Sequence, residues 1–295
     1  MKIKRIKHID GLRAISILFV VLYHSFPQYF PNAFIGIDYF LVISGFIIYK
    51  KYFLDIDKKF SFLDFWKRRI FRIYPQLLTC ILICFVIAFF KMQPEYFENF
   101  SQNSIASIFG LNNILIFIKG GYWRIQNEIN PLFTTWSLGL EMQLYLLISI
   151  IASFFLRGRK GLYLNILLTL SIVSFILSGI GSIYFQKSNY LFVHSRFWEF
   201  SLGFIAAYFS KIKYVIPKWI INISFALIFL PLIIPYQIIN YSPNPLFIFP
   251  LIGIACMCID NENMFVNMIL SFRPITYIGV SSYAIYLYHQ PVFAF

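Results

Sequence analysis

Charge is what this chain has least of. Only 13% of its 295 residues are Asp, Glu, Lys or Arg, and just 12 are acidic. A soluble domain carries about 25% charged residues. With 59% hydrophobic and 21% aromatic residues, too little polar side chain remains to cover a water-facing surface. That excludes an ordinary soluble domain and makes lipid the solvent. Cysteine is scarce too. Cys80, Cys84, Cys256 and Cys258 all lie in hydrophobic runs. That placement speaks against a disulfide framework or a metal site and leaves them as small packing residues. No internal repeat or low-complexity linker is evident. The basic lead and the apolar run at 15–22 imitate a signal peptide, but His24 and Pro27 stand where a small-residue cleavage site belongs. The first run is therefore expected to be a retained span of one polytopic all-α domain, residues 1–295.

What is present is a series of hydrophobic runs, which bring the mean hydropathy of the whole chain to +0.72. About nine spans are expected, at 12–26, 33–49, 73–90, 135–156, 162–185, 190–209, 219–239, 246–259 and 275–295. Several fall short of the roughly 20 residues that cross a bilayer, so their ends extend into flanking sequence. A net charge of +13 would suggest nucleic acid in a soluble protein. Here nineteen cations fall in alternate loops: four in 1–11, eight in 50–72, three in 157–160, three in 211–218, and Arg273. The other side holds Lys91, Lys119, Arg124 and Lys187, and Arg13 and Arg196 sit inside spans. This asymmetry predicts a cytoplasmic N-terminus and a bilayer, with no nucleic acid as partner. Two stretches do not span. Residues 50–72 read as an amphipathic surface helix carrying Phe62, Phe65 and Trp66. Residues 91–134 read as the largest external loop, with 104–118 interfacial or re-entrant.

Ionisable groups inside spans face a protein interior or one another, because lipid penalises them. The set is Arg13, His24, Asp38, Glu141, Arg196, Glu199 and His289. At a rise of about 1.5 Å per residue, all but Arg13 fall in the outer half, where one buried polar site can assemble. Arg13 and His24 are eleven residues apart, nearly on one helix face and about 16 Å along it. Such a helix suits a long donor whose charged head stays cytoplasmic. His24 is the candidate general base, since imidazole titrates near neutrality; a packing histidine is the bland alternative. Asp38 either orients that imidazole or caps the second helix beside Gly36. Arg69 and Arg72, at i,i+3, can grip phosphates with fork geometry or simply stop transfer. Trp136 and Ser137 through Glu141 to Gln143 can align an acceptor hydroxyl. Arg196 and Glu199 offer an internal ion pair, and His289, in a Tyr-rich helix, suits packing.

These residues stand in a recognisable order. Asp10-Gly-Leu-Arg13 followed by Val20-Val-Leu-Tyr-His24 resembles the first helix of the type-3 membrane acyltransferases, with Arg or Lys, ten residues, then His. The stretch from Phe34 through Asp38 to Ser44-Gly-Phe resembles the second helix, and Arg69-Ile-Phe-Arg72 the RxxR motif. Asn130 to Trp136 and Glu141, then Arg196-Phe-Trp-Glu199, then Ser282-Tyr283 through His289-Gln-Pro291 continue the pattern. The resemblance runs through essentially the whole chain. It implies transfer of an acyl group, usually acetyl from acetyl-CoA, to a hydroxyl of an envelope glycan at the bacterial cytoplasmic membrane. His24 becomes the base, Asp38 and Glu141 join the catalytic set, and Arg13, Arg69 and Arg72 become donor-side residues. Trp136, Ser137, Arg196, Glu199 and His289 become structural or acceptor-side residues.

Two departures qualify the likeness. Met142 follows Glu141 where related chains commonly carry a second acid. The similarity also implies a further helix beyond 295, and in some members an esterase-type domain, so an incomplete domain is expected. Transfer directly or through an acyl relay stays open. The rival from another class is a transporter or flippase for an envelope glycan or lipid precursor, which polar groups in spans also fit. A scaffold subunit is a third reading.

Overall fold

The computed structural model describes residues 6–53, 60–120, 129–155, 160–212, 214–235, 243–259 and 264–295. Helices dominate the described residues, and none of those residues is in a strand. The first three helices are α1 (Lys7–Ser25), α2 (Gly36–Tyr52), entered through a 3-10 turn at Ala33–Ile35, and α3 (Phe62–Lys91). Two short helices follow, α4 (Pro94–Ile108) and α5 (Asn112–Ile118). Then come α6 (Trp136–Phe155), α7 (Lys160–Tyr184), α8 (Gln186–Leu191) and α9 (Phe197–Lys211). The chain continues with α10 (Lys218–Phe229), α11 (Ile248–Cys258), α12 (Met264–Leu270) and α13 (Arg273–Ala294).

Among the described residues, four segments are long and apolar enough to cross a membrane: Ala33–Tyr52, Phe62–Lys91, Phe133–Phe154 and Leu162–Tyr184. Shorter apolar helices lie at Lys218–Leu232 and Pro245–Cys258. Helical residues overlap each of the nine expected stretches, but four segments alone meet the length and hydropathy of a span among the described residues. Residue 156 of the fourth and 236–239 of the seventh lie outside the described residues. So do Lys2, Lys4, Arg5, Lys58, Lys59, Arg124, Arg157, Arg159 and Lys213 of the cations used for sidedness.

Two expectations are corrected. The amphipathic segment at 50–72 is not a separate surface helix over its described part. Capped by Ser61, whose Oγ accepts from the Asp64 amide at 3.3 Å, α3 runs unbroken through the third span for 30 residues, about 45 Å. Phe65 is buried, and the Trp66 indole donates to Ser149 Oγ at 3.2 Å. These aromatics dock on the bundle because α6 gives them both apolar cover and an acceptor. The sixth span is also not one helix. α8 ends at Leu191, a 3-10 turn covers Val193–Ser195, and α9 starts after Arg196. The Ser195 hydroxyl donates to Asn189 O at 2.5 Å, which holds the turn and places Arg196 at a helix start.

The bundle has a buried centre and an apolar exposed rim. Most of α2 is buried, whereas α3 and α7 expose Leu82, Val86, Phe89, Ile172, Ile176 and Ile183. Such continuous apolar exposure is a lipid-facing surface. At the centre, helices touch backbone to backbone. A Cβ on Gly45 of α2 would lie 2.0 Å from Phe200 O of α9, and one on Gly279 of α13 would lie 1.7 Å from Asp10 O of α1. Only glycine lets axes come that close. The stretch expected to be interfacial, 104–118, covers the end of α4 and all of α5, joined at Gly110 with φ 68°. Asn113 Nδ2 donates to Leu191 O at 2.9 Å, and Asn112 Nδ2 to Thr135 Oγ1 at 2.8 Å, tying this unit to the bundle.

Candidate active site

The polar groups do not assemble into one site. They form three sets, each built by a different helix pairing.

The first lines a cavity of about 80 Å³ between α1, α2, α3, α6 and α13. Arg13, Arg69, Arg72 and Glu141 all face it, with Ser44, Ser137, Tyr145, Ser282, Tyr283 and Tyr286. Arg13 lies 3.8 Å from Asp10 within its own helix. Arg69 is buried and stacked among rings, its guanidinium 5.5 Å from the Tyr52 and Tyr145 centroids and 5.7 Å from Phe65. Its Nη2 donates to Tyr52 Oη at 3.4 Å, while Nε has no partner. Arg72, one turn on, is exposed and also borders a wide opening lined by Asp64, Lys67, Arg68 and Phe71. Helical i,i+3 spacing thus puts one guanidinium inside and one at the mouth. Glu141 Oε1 accepts from Ser44 Oγ at 2.7 Å and from Tyr145 Oη. The carboxylate is thereby held in place among three cations, which suits a cavity for an anionic, partly apolar ligand.

The second set is a pair of imidazoles. His24, in the last turn of α1, meets His289 of α13 with ring centroids 5.1 Å apart. Tyr286 connects this pair to the cavity. Its ring lies 5.7 Å from that of His289, and its hydroxyl is bonded to Ser137 Oγ and Thr134 O, both at 2.5 Å.

The third set is a buried ionic cluster. Arg196 Nη1 pairs with Asp38 and lies 3.4 Å from both oxygens of Glu199. Its Nε donates to Tyr190 O at 3.2 Å, and its guanidinium stacks 4.9 Å from Tyr190 and 6.0 Å from Trp136. All three charged side chains are essentially inaccessible.

Residues 6–295 match the acyltransferase domain family. The chain belongs to this acyltransferase family. Among curated relatives, it is 32% identical to O-acetyltransferase OatA of Staphylococcus aureus (strain NCTC 8325 / PS 47), over 97% of this chain and 50% of that protein. It is 29% identical to peptidoglycan O-acetyltransferase OatA of Listeria monocytogenes, over 98% of this chain and 49% of the other. A putative peptidoglycan O-acetyltransferase of Bacillus subtilis, YrhL, is 29% identical over 96% and 48%. The chain therefore spans about half the length of the curated relatives it matches. No solved structure matches it.

For this acyltransferase domain, the three sets revise the sequence reading in particular places. Arg13 and His24 both point into protein, Arg13 to the cavity and His24 to α13. Glu141 joins the arginines, although its expected depth placed it with the outer group. Asp38, expected to orient His24 or cap α2, is paired with Arg196, while α2 has no side-chain cap. The ion pair expected of Arg196 and Glu199 is present and gains Asp38. Trp136 packs against Tyr190 with ring centroids 4.7 Å apart, which makes it a wall of the ionic cluster. Gln143 donates to Gly110 O and Asn113 Oδ1, so it anchors α5 and does not line the cavity. Tyr145, Tyr286 and Ser44 were missed. Tyr145 carried a signal, since it follows Glu141 by one helical turn. Tyr286 precedes His289 by three residues on the same face.

Proposed function

We propose that this domain is a membrane-embedded O-acetyltransferase that moves acetyl from acetyl-CoA to a hydroxyl of an envelope glycan, with peptidoglycan as the acceptor class. The observation that carries it is the cavity where three helices bring Arg13, Arg69, Arg72 and Glu141 together inside an apolar bundle. Coenzyme A offers a diphosphate and a further phosphate on a long thiol arm, which matches a cationic mouth leading to an apolar interior. The relatives' names point the acceptor toward peptidoglycan. The cation asymmetry of the sequence supports a cytoplasmic N-terminus in a bacterial cytoplasmic membrane, with about nine spans. The donor then enters from the cytoplasm and the glycan from outside.

In this scheme Arg72 and Arg69 hold the phosphates and Arg13 the cytoplasmic part of the arm. The thioester extends past Tyr286 to His24. His24 takes the proton of the sugar hydroxyl as the oxygen attacks the thioester carbonyl. A C–O bond forms, the C–S bond breaks, and His24 passes its proton to the departing thiolate. Glu141 sets the geometry of the cationic cavity through Ser44 and Tyr145. Asp38, Arg196 and Glu199 hold α2 against α9 and take no part in the chemistry.

Membranes containing the chain, given labelled acetyl-CoA and a peptidoglycan-type oligosaccharide, are expected to place covalent label on the glycan. His24→Ala at equal protein level should reduce transfer by 10²-fold or more, the usual worth of a general base. Wild-type turnover in that variant would end the assignment. Glycan movement across vesicles without covalent label would favour the transporter reading.

A further inference from the structure

We propose that His289 is the positioning partner of His24: its Nε2 accepts an N–H from the His24 ring and leaves the other His24 nitrogen as the base. This rests on the reading of His24 as the base of acyl transfer.

The first step is the tautomer. His289 is buried, and its Nδ1 lies 2.7 Å from Tyr286 O. A carbonyl oxygen only accepts, so Nδ1 carries the hydrogen and Nε2 is a bare lone pair. That Nε2 is buried and has no hydrogen-bond partner. A buried acceptor without a donor is costly, so a donor is expected to reach it.

The neighbours say which donor. The rings of His24, Tyr286 and Phe293 lie 5.1, 5.7 and 6.2 Å from the His289 imidazole. Phe293 has no donor. The Tyr286 hydroxyl is already engaged with Ser137 and Thr134. His24 is the ring with an N–H to give. Two imidazoles joined edge to edge by an N–H···N bond of about 3.0 Å have centroids roughly 5.2 Å apart. The observed separation is 5.1 Å, with the planes at 53°. The His24 ring can turn about its soft terminal torsion while the His289 ring stays on Tyr286 O. The helices hold the rings at this spacing, because α1 and α13 are locked backbone to backbone at Asp10 and Gly279.

The consequence is chemical. With one His24 nitrogen donating to His289, the other presents its lone pair to the acceptor hydroxyl. When that hydroxyl gives up its proton, His24 becomes an imidazolium, and its bond to neutral His289 becomes charge-assisted. His289 stabilises that charge without gaining or losing a proton. The orienting role expected of Asp38 passes to a residue 265 positions further along the chain than His24.

Two substitutions separate positioning from packing. His289→Asn keeps a donor where Nδ1 stood but removes the acceptor at Nε2; His289→Gln restores an acceptor near Nε2. Each is assayed in membranes with labelled acetyl-CoA and a peptidoglycan-type oligosaccharide, with turnover referred to folded protein measured by size exclusion. His289→Asn should lower kcat by about 10- to 100-fold, a large part of what a general base supplies, and leave KM for acetyl-CoA within about twofold. His289→Gln should stay within about fivefold of wild type. In a His24→Ala background, His289→Asn should have no further effect. Equal turnover of the Asn and Gln variants would overturn the proposal, as would an undiminished effect of Asn without His24. If the Asn variant does not fold, a Gln variant below about one-twentieth of wild-type kcat overturns it by itself. A wild-type chain that transfers no acetyl group would instead defeat the functional reading on which this one rests.

Discussion

Replacing Arg196 by methionine removes the cation that two interior carboxylates share. Asp38 and Glu199 are 1% and 0% exposed, and the guanidinium between them is 1% exposed. Methionine keeps much of the length and apolar volume, so the change falls on charge and hydrogen bonds. Breaking a buried pair by removing one partner costs about 3–5 kcal/mol, mostly from the charge left behind. The loss of the bond to Tyr190 O and of stacking on Tyr190 and Trp136 acts in the same direction. Against this, a carboxylate without its partner can take up a proton and avoid the full penalty. The lower end of the range is therefore expected, about 3 kcal/mol, or two powers of ten in the folding equilibrium. In detergent, the midpoint for thermal loss of the monodisperse species should fall by about 10 °C. Arg196→Met combined with Asp38→Asn and Glu199→Gln should recover at least half of that loss, since no charge is then left unpaired. A single variant as stable as wild type would refute the reasoning, and so would a triple variant no better than the single one.

The α2–α9 crossing gives a second test. Gly45→Ala would put a methyl 2.0 Å from Phe200 O, so the helices must part and stability should fall by about 2 kcal/mol; an unchanged midpoint would mean the crossing adjusts freely. The two motif arginines should separate by role. Arg72→Ala, at the exposed mouth, should raise KM for acetyl-CoA about tenfold through one lost charge-assisted bond and leave the thermal midpoint alone. Arg69→Ala should weaken donor binding and also lower the midpoint, because its guanidinium is packed among Tyr52, Phe65 and Tyr145. Donor affinity unchanged in both would return the pair to a purely topological role.

Much of the architecture was legible from residue order alone. A bilayer demands contiguous apolar runs, so helices at 33–49, 73–90, 135–156 and 162–185 could be placed by hydropathy. Spacing along one helix was equally readable, because i,i+3 and i,i+4 neighbours share a face wherever the helix goes. Arg69 with Arg72, and Arg196 with Glu199, needed no tertiary information. Periodicity was blind where a helix ignored a change in composition. α3 continues through the basic, aromatic stretch before 73 because Trp66 finds Ser149 on another helix.

Partnerships between helices belong to the tertiary structure. Asp38 and Arg196 are 158 residues apart, and no local pattern says that α2 will lie against α9 closely enough for their backbones to touch. The same holds for Arg13, Arg72 and Glu141 around one cavity, and for the two imidazoles at 5.1 Å. Composition and order required a helical protein in lipid with ionisable groups turned inward, since lipid penalises them anywhere else. Which of those groups met was settled by glycine-mediated helix contacts, which bring Asp38 to Arg196, and by the rings and hydroxyls that receive Arg69 and Glu141. Those distances depend on packing across the bundle, and sequence separation carries no record of them.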